Sequence, residues 1–338
     1  MSRRSFYLLL SVLLLISVGS SLFLGAYRID WSTFWSQQAD GWEATWFLLW
    51  HIRLPRILLS GLTGAGLAIV GAAIQGIFRN PLADPTIIGV TSGAMLFAVV
   101  AIVLAGSVLA PLAKILQHSL VAMAAFIGGV ITTYLVYFLS YRQGKVYVMT
   151  MLLAGIAISA FAAAISGLFI YLSDDQQLRD ITFWSMGSLG GANWSQVQLA
   201  GPFVITAGFI LYGQSRALNA LLLGEQEASY LGVPVEKVKT RIILISSVVI
   251  GCCISMTGLI GFVGLIVPHF LRLIRGTDYR YLLPASALTG AVFLILADTL
   301  ARTIIAPAEL PIGILTAMVG APFFLWLLLR SQQEKGWL

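Results

Sequence analysis

Arg53 and Arg56 bracket a proline and stand one helical turn apart, ahead of a long run of small apolar residues. Because residues i and i+3 of a helix share a face, the two guanidinium groups can contact one charged partner together. The alternative is that each arginine extends its charged end toward lipid headgroups, as arginines near the ends of membrane helices often do. In either case the pair indicates recognition and not bond-breaking chemistry.

The sequence contains none of the motifs GxxxxGK[ST], HExxH and GxSxG, so it shows no ATPase, zinc-protease or serine-hydrolase signature. Acidic residues are nearly absent from the predicted apolar spans: Asp298 lies toward the end of one, while Asp84 and Glu309 lie at span boundaries. Ion-coupled transporters use carboxylates within the membrane as relays or ligands. A membrane enzyme and an ion-coupled secondary transporter are therefore disfavoured alternatives, and a partner is expected to supply the energy for any transport.

Composition places the chain in the membrane. Hydrophobic residues make up 59% of the 338 positions and charged residues 10%, whereas soluble domains carry about 25% charged residues. The net charge of +6 is distributed in short clusters between apolar spans, which is typical of membrane topology and not of a nucleic-acid-binding face. Cys252 and Cys253 are adjacent within an apolar run and are interpreted as packing residues.

The run that follows the two arginines predicts a membrane-spanning helix. Between Ile57 and Phe78 the only strongly polar side chain is Gln75, and about 22 residues are enough to cross a bilayer core. Pro55 is suited to the first turn of a helix, so the helix is expected to begin there. Small residues recur at spacings that let neighbouring helices approach closely, which predicts a helix surrounded by others. These residues are Gly61, Gly64, Gly66, Gly71, Ala72, Ala73 and Gly76.

The same interpretation gives an all-α polytopic membrane protein with about ten transmembrane helices. They are predicted over residues 5–25, 55–78, 87–105, 115–139, from the basic loop 141–145 to about 172, 197–213, 242–257, a short helix after Gly258, 282–300 and 311–329. Pro268 is expected to interrupt the short helix near its membrane exit.

Three longer segments lie between these helices. Residues 30–50 form a predicted interfacial loop with five tryptophans, Trp31, Trp35, Trp42, Trp46 and Trp50. Residues 173–194 are predicted to form a short surface helix followed by a glycine-rich return. Residues 214–239 are the longest charged stretch and have helical character.

With the N-terminus in the cytoplasm, fourteen of the lysines and arginines face inside and six face outside, which supports this orientation. The segment 214–239 is then on the inner side. Glu225 is expected to begin a short helix there and Gly232 to end it, with Ala228 and Leu231 forming an apolar knob. The alternative for this segment is a solvated amphipathic connector.

Seven stretches, in the order of the chain, carry a resemblance to one family. They are RLPR at 53–56, GAAIQGIFRNPLADPTIIGVTSGA at 71–94, LLAGIAIS at 152–159, FWSMGSLGGANW at 183–194, LNALLLGEQEASYLGV at 218–233, GFVGLIVPHFLRL at 261–273 and AELPIGILTAMVGAPFFLWLL at 308–328. The chain resembles the FecCD-type permeases, the membrane subunits of ABC importers for cobalamin, haem and ferric siderophores.

The resemblance implies a type II ABC importer permease fold, with residues 1–338 as one transmembrane permease domain carrying a cytoplasmic coupling loop at 214–239 and a periplasmic segment at 173–194. It implies a multi-pass protein of the bacterial inner membrane with both termini in the cytoplasm. The expected partners are a second copy of the chain, two ATP-binding cassette subunits and a periplasmic substrate-binding protein, besides membrane lipid and without nucleic acid. ATP and Mg would be bound by the cassette subunits, and no cofactor or metal by this chain.

The resemblance also assigns roles to residues. Arg53, Arg56 and Arg302 fall on positions that dock the binding protein in the similar cobalamin permease. The ATPase-coupling surface would contain Leu223, Gly224, Glu225, Ala228, Leu231, Gly232 and Val233. The cytoplasmic gate would consist of Tyr147, Val148 and Met149, which are bulkier and more apolar than the small hydroxyl residues of the cobalamin permease.

Haem is the favoured cargo, because FWSMGSLGGANW and the stretch at 304–330 most resemble haem permeases. Cobalamin and a ferric siderophore are the alternatives. His51 lies beside Arg53 at the predicted outer mouth and is a candidate haem contact. The other interpretation of His51 is a polar residue at the membrane interface.

Overall fold

The computed structural model describes residues 3–25, 27, 39–116 and 119–334, and nearly all of these residues are helical. The α-helices are α1 (Arg3–Phe23), α2 (Ala39–Phe47), α3 (Leu54–Ile77), α4 (Val90–Leu104), α5 (Ala110–Leu116), α6 (Ser119–Ser140), α7 (Val148–Tyr171), α8 (Asp175–Met186), α9 (Trp194–Gly213), α10 (Ser215–Leu221), α11 (Glu225–Tyr230), α12 (Val235–Thr257), α13 (Val263–Arg275), α14 (Tyr279–Ala301) and α15 (Ile312–Glu334). A π-helical segment (Leu48–Arg53), a 3₁₀ helix (Pro85–Ile88) and a hairpin of β1 (Tyr141–Arg142) and β2 (Lys145–Val146) complete the elements.

Seven helical runs within the described ranges are long and apolar enough to cross a membrane: α1, the run Trp42–Ile77, α6, α7, α9, α12 and α14. The shorter apolar helices α4 and α15, together with the 13-residue helix α13, are roughly consistent with the ten helices expected. The prediction of an all-α polytopic membrane protein is confirmed.

Helix α3 is the centre of the bundle, as its small residues predict. It packs against α9, α12, α13 and α14, and most of its residues are buried. Two glycine pairs allow the closest approaches: Gly64 faces Gly290 of α14, and Gly71 faces Gly264 of α13. A Cβ atom at either α3 glycine would overlap the backbone of its partner. The close contact between helix backbones is thus a consequence of having no side chain at these positions.

Helix α3 begins at Leu54 with Pro55 in its first turn, as predicted, but the helical run begins earlier. The chain is already helical from Ala39, and the π-helical segment joins α2 to α3. The amide of Leu54 donates to the carbonyl of Leu49, five residues earlier. Pro55 has no amide hydrogen to donate, and a wider turn just before it accommodates the missing bond without ending the helix.

The predicted interfacial loop 30–50 is therefore wrong for its second half, since residues 39–50 are helical. Trp42, Trp46 and Trp50 are spaced four apart and lie along this helix. Trp31 and Trp35 fall outside the described residues.

Pro268 does not interrupt α13, which continues to Arg275. Proline cannot donate to the carbonyl four residues earlier, which is that of Gly264. The side-chain amide of Gln75 on α3 lies 3.4 Å from this carbonyl and 3.4 Å from that of Leu265. The guanidinium of Arg272 in turn donates to the Gln75 oxygen. A polar side chain from the central helix thus lies within reach of the carbonyl of Gly264, which the proline leaves free.

The polar segments follow the sequence interpretation. Helix α8 begins with a capping box formed by Asp174 and Gln177, and a return without regular structure leads to α9. In the stretch 214–239, α10 and α11 precede α12, which starts at Val235 and not at about residue 242. The earlier start brings charged residues of the predicted loop into the first turns of α12, where Lys239 is buried.

Replacement of Gly71 by valine is expected to lower thermal stability strongly, because the new side chain would overlap the backbone of Gly264. Overpacking of this kind costs about 1–3 kcal/mol or more. Gly19→Val in α1 is the matched control, since nothing lies within 4 Å of a Cβ atom at that position. Thermal unfolding of both variants in one detergent measures the difference, and equal midpoints would contradict the close packing of α3 on α13.

Candidate functional site

The three arginines of the sequence prediction meet two acidic residues in one group. This arginine cluster consists of Arg53, Arg56, Asp298, Arg302 and Glu309. Arg56 Nε lies 3.0 and 2.9 Å from the two carboxylate oxygens of Asp298, and its Nη2 lies 2.8 Å from Oδ1. Its Nη1 donates to Glu309 Oε1 at 2.7 Å. The start of α3 is thereby joined to the end of α14 and to the segment before α15.

The other two arginines connect the cluster to α1. Arg302 Nη2 lies 2.5 Å from the carbonyl oxygen of Ser21 and 2.6 Å from its hydroxyl, while Nε lies 3.8 Å from Asp298 Oδ2. Arg53 donates to the carbonyl of Leu22. Burial lowers the pKa of Arg302, although the Asp298 carboxylate acts in the opposite direction, and a guanidinium remains charged in either case.

The cluster turns its arginines inward. The three arginines are 3%, 7% and 5% exposed, whereas the side chain of Glu309 is 41% exposed. Glu309 also lies against the return between α8 and α9, 3.0 Å from where a Cβ atom of Gly190 would be. The structure brings together all three predicted docking arginines but makes Glu309 the exposed member of the group. Their docking role stays a prediction.

Sequence reasoning missed the two acidic partners. Asp298 and Glu309 were considered only as carboxylates too few for ion coupling. The sequence did indicate that such a partner exists, because carboxylates are rare in these apolar spans and a buried one requires a basic partner. Nothing in the sequence shows that this partner is Arg56, which is 242 positions away from Asp298.

An aromatic group lies beside the cluster on the run from α2 to α3. His51 is exposed, and its ring stacks on Phe47 with centroids 4.7 Å apart. Four tryptophans form a row: Trp42, Trp46 and Trp50 stack with centroid separations of 6.2 and 5.9 Å, and the ring of Trp194 is tilted against Trp50 at 5.1 Å. The indole of Trp194 donates to the carbonyl of Trp50 at 2.9 Å, so this tryptophan row also fixes the start of α9.

The predicted coupling segment, which directly precedes α12, forms a short helix as expected. Glu225 begins α11, and Gly232 follows it with a positive φ of 80°. The predicted knob is wrong in one respect, because Ala228 is fully buried. The exposed apolar side chains are Leu223 at 65%, Tyr230 at 89% and Leu231 at 65%.

Lys239 was not predicted, and it connects three elements here. The residue is 2% exposed, and its ammonium lies 2.6 Å from Glu225 of α11 and 3.4 Å from Glu236 of α12. It also lies 3.4 Å from the carbonyl oxygen of Val146 in β2. The ammonium is buried, but its carboxylate partners Glu225 and Glu236 are 41% and 27% exposed, so this group connects its elements through partly solvated ion pairs.

The predicted gate residues follow the hairpin directly. Tyr147 is the N-cap of α7, and its amide donates to the carbonyl of Ser140 at 3.0 Å, which closes the base of the hairpin. Val148 and Met149 form the first turn of α7. Tyr147 is 46% and Met149 70% exposed, so both present apolar surface that the single chain does not cover.

Comparison with known proteins gives a consistent result over nearly the whole chain. The profile of the FecCD transport family matches residues 11–330. The chain is 44% identical to the hemin transport system permease protein HmuU of Yersinia pestis over 327 residues, which cover 97% of this chain and 96% of the relative. It is also 44% identical to the cobalamin import system permease protein BtuC of Halobacterium salinarum over 286 residues, covering 85% of this chain and 74% of the relative.

Among solved structures, an inward-facing metal-chelate type ABC transporter aligns with a TM-score of 0.84 and 35% identity, covering 97% of this chain and 99% of that chain. The PsaBC structure from Streptococcus pneumoniae, at 18% identity and a TM-score of 0.53, shares the fold alone.

The contacts of Arg56 predict an unequal effect of neutralising its two partners. Asp298→Asn removes the fully buried carboxylate and is expected to cost about 3–5 kcal/mol. Glu309→Gln is the matched control, and it removes a partly exposed partner of the same arginine, which costs at most about 1 kcal/mol. Thermal or denaturant unfolding in detergent compares them.

The double variant Arg56→Met/Asp298→Leu extends this comparison. It removes both charges of the pair and is expected to be less destabilised than Asp298→Asn alone, since Arg56 is no longer left buried without Asp298. Similar losses for Asp298→Asn and Glu309→Gln would show that burial does not decide the strength of these contacts.

Proposed function

This chain belongs to the FecCD transport family, and from that premise we propose that it is the permease subunit of an ATP-driven importer that moves haem from the periplasm to the cytoplasm. The similarity to the hemin permease of Yersinia pestis along 97% of the chain carries the proposal. The chain itself would provide the membrane pathway, and separate ATPase subunits, which bind ATP and Mg, would supply the energy.

The proposed assembly has two copies of the permease, two ATP-binding cassette subunits and a periplasmic binding protein, in a bacterial inner membrane with both termini cytoplasmic. Exposed apolar residues at α11 and its two ends support a protein partner there, since Leu223, Tyr230 and Leu231 are each at least 65% exposed. Helix α7 is the least buried of the seven long apolar runs, with Ile156 and Phe161 64% and 69% exposed, and it is proposed as the face that a second copy covers. The residues 147–149 are proposed as the cytoplasmic gate of that shared pathway.

Two observations bear on the cargo. The hemin and cobalamin relatives are equally identical, but the hemin relative is matched over 97% of this chain and the cobalamin relative over 85%. The exposed His51 and the neighbouring aromatic rings are suited to a flat, apolar macrocycle that holds iron. Cobalamin is the second candidate because of that 44% identity, and a ferric siderophore is the third.

The arginine cluster suggests how a binding protein would dock. Arg53, Arg56 and Arg302 are proposed as docking residues, yet each already donates to another group of the chain. Glu309 is the one partly exposed partner of Arg56. We infer that a carboxylate of the binding protein competes with Glu309 for Arg56 Nη1. The cluster carries one more positive than negative charge, which favours an acidic partner.

Cargo identity is tested by titrating the cognate binding protein with haem, cobalamin and a ferric siderophore. We expect haem to bind at least about 100-fold more tightly than the others, a difference of about 2.7 kcal/mol. Uptake of the bound cargo into proteoliposomes with the complete importer and enclosed ATP follows. If cobalamin is bound and taken up in preference to haem, the proposed cargo is wrong and cobalamin takes its place.

Competition by Glu309 predicts that Glu309→Gln tightens docking of the binding protein about three- to tenfold at low salt. The glutamine frees Arg56 without removing its buried pair with Asp298, whereas charge reversal at Arg56 would destroy the cluster. Asp180→Asn on α8 is the control, because it removes the same charge from an exposed residue outside the cluster. Binding to nanodisc-embedded importer is measured at two salt concentrations, since exposed charge pairs weaken with salt. Equal affinities for Glu309→Gln and Asp180→Asn would exclude Arg56 as a docking residue.

A further inference from the structure

Lys239 is the meeting point of α11, α12 and the hairpin that leads to α7. Its side chain extends from the second turn of α12 and is 2% exposed. The ammonium contacts one carboxylate on α11 and one on α12, at 2.6 and 3.4 Å. Its third neighbour is a backbone carbonyl of β2, at 3.4 Å. An ammonium has three hydrogens, so the three directions of this site match the three elements that surround it.

The end of the hairpin is bound through both of its backbone groups. The amide of Val146 donates to Glu236 Oε2 at 2.7 Å, and its carbonyl lies near Lys239 Nζ. Glu236 and Lys239 are therefore two sides of one clamp on Val146. The next residue is Tyr147, the N-cap of α7. The position of the first turn of α7 is thus set by the first two turns of α12.

The same ammonium connects this clamp to α11. Its contact with Glu225 Oε2 is the shortest of the three, and Glu225 is the first residue of α11. Glu225 and Glu236 both pair with the Lys239 ammonium. Removing the ammonium would therefore take the ion-pair partner from both carboxylates. The side chain of Lys239 thus connects α11 to Val146, the residue just before the N-cap of α7.

We propose that Lys239 is a positioning residue that transmits movement of α11 to the gate residues at the start of α7. When a partner seated on α11 displaces Glu225, the ammonium moves with it and shifts Val146, and with it Tyr147 to Met149. The hairpin can follow because its exposed tip, at Gln143 and Gly144, makes a tight turn with positive φ at both residues. This inference rests on the proposed function, which assigns the coupling role to α11 and the gate to 147–149.

The test uses the complete importer reconstituted with its ATPase subunits and binding protein. In Lys239→Met we expect ATP hydrolysis within about twofold of wild type, while cargo transported per ATP hydrolysed falls at least tenfold. Lys237→Met is the matched control, because Lys237 lies two residues earlier on the same helix with its side chain exposed. Lys239→Arg keeps a cation at the site and is expected to restore a large part of the transport.

A second readout separates transmission from ordinary structural support. A cysteine at Met149, whose side chain is 70% exposed, is labelled with a water-soluble thiol reagent with and without ATP and vanadate. The two native cysteines are free and buried, so they contribute little labelling. We expect the nucleotide to change the labelling rate severalfold in the Lys237→Met background and to leave it unchanged in Lys239→Met.

Glu225→Gln keeps the test decisive where Lys239→Met does not fold. It weakens the connection to α11 and leaves the clamp on Val146, so the same loss of transport per ATP is expected. Glu227→Gln, on the exposed side of the same short helix, is its control. If both Lys239→Met and Glu225→Gln transport as wild type per ATP, the proposal is overturned while the proposed function stands. If the wild-type assembly itself moves no cargo with ATP, the proposed function fails.

Discussion

Buried charges and backbone carbonyls without an intrahelical donor need partners within the protein, because lipid offers none. This constraint explains features that seem unrelated. Gln75 of the central helix lies beside the carbonyl of Gly264, which Pro268 leaves without an intrahelical donor. Asp298 is 1% exposed and is held by Arg56. Polar residues are few in these helices, and the buried ones described here connect separate elements.

The two ends of the bundle apply the same rule with different consequences. In the arginine cluster, three cations surround two carboxylates and secure α1, α3 and α14 to one another. Around Lys239, one cation joins two carboxylates that belong to α11 and α12. The first group carries excess positive charge and the second excess negative charge. Members of the FecCD family that lack these charges would need other means of joining the same elements.

The helices could be predicted from the sequence because hydropathy and length are local properties. The ten spans, the surface helix α8 and the short helix at Glu225 all follow from composition, spacing and capping residues. What the sequence could not show depends on distant residues. Pro55 and Pro268 are usual helix boundaries, and both are tolerated here, one after a π-helical segment and the other beside Gln75 of another helix. Arg56 was expected to face outward, but Asp298 and Glu309, which are 242 and 253 positions away, hold it inside the protein.

The glycine contacts of α3 limit how this protein can change shape. With Gly64 against Gly290 and Gly71 against Gly264, the backbones of α3, α13 and α14 touch directly. A slide of α3 by a single residue would bring side chains into those contacts, and a rotation would do the same. These three helices therefore form a rigid frame that keeps one geometry. Helix α7, by contrast, is largely uncovered in the single chain. Opening and closing of a pathway would therefore come from movement of such peripheral helices relative to α3, α13 and α14.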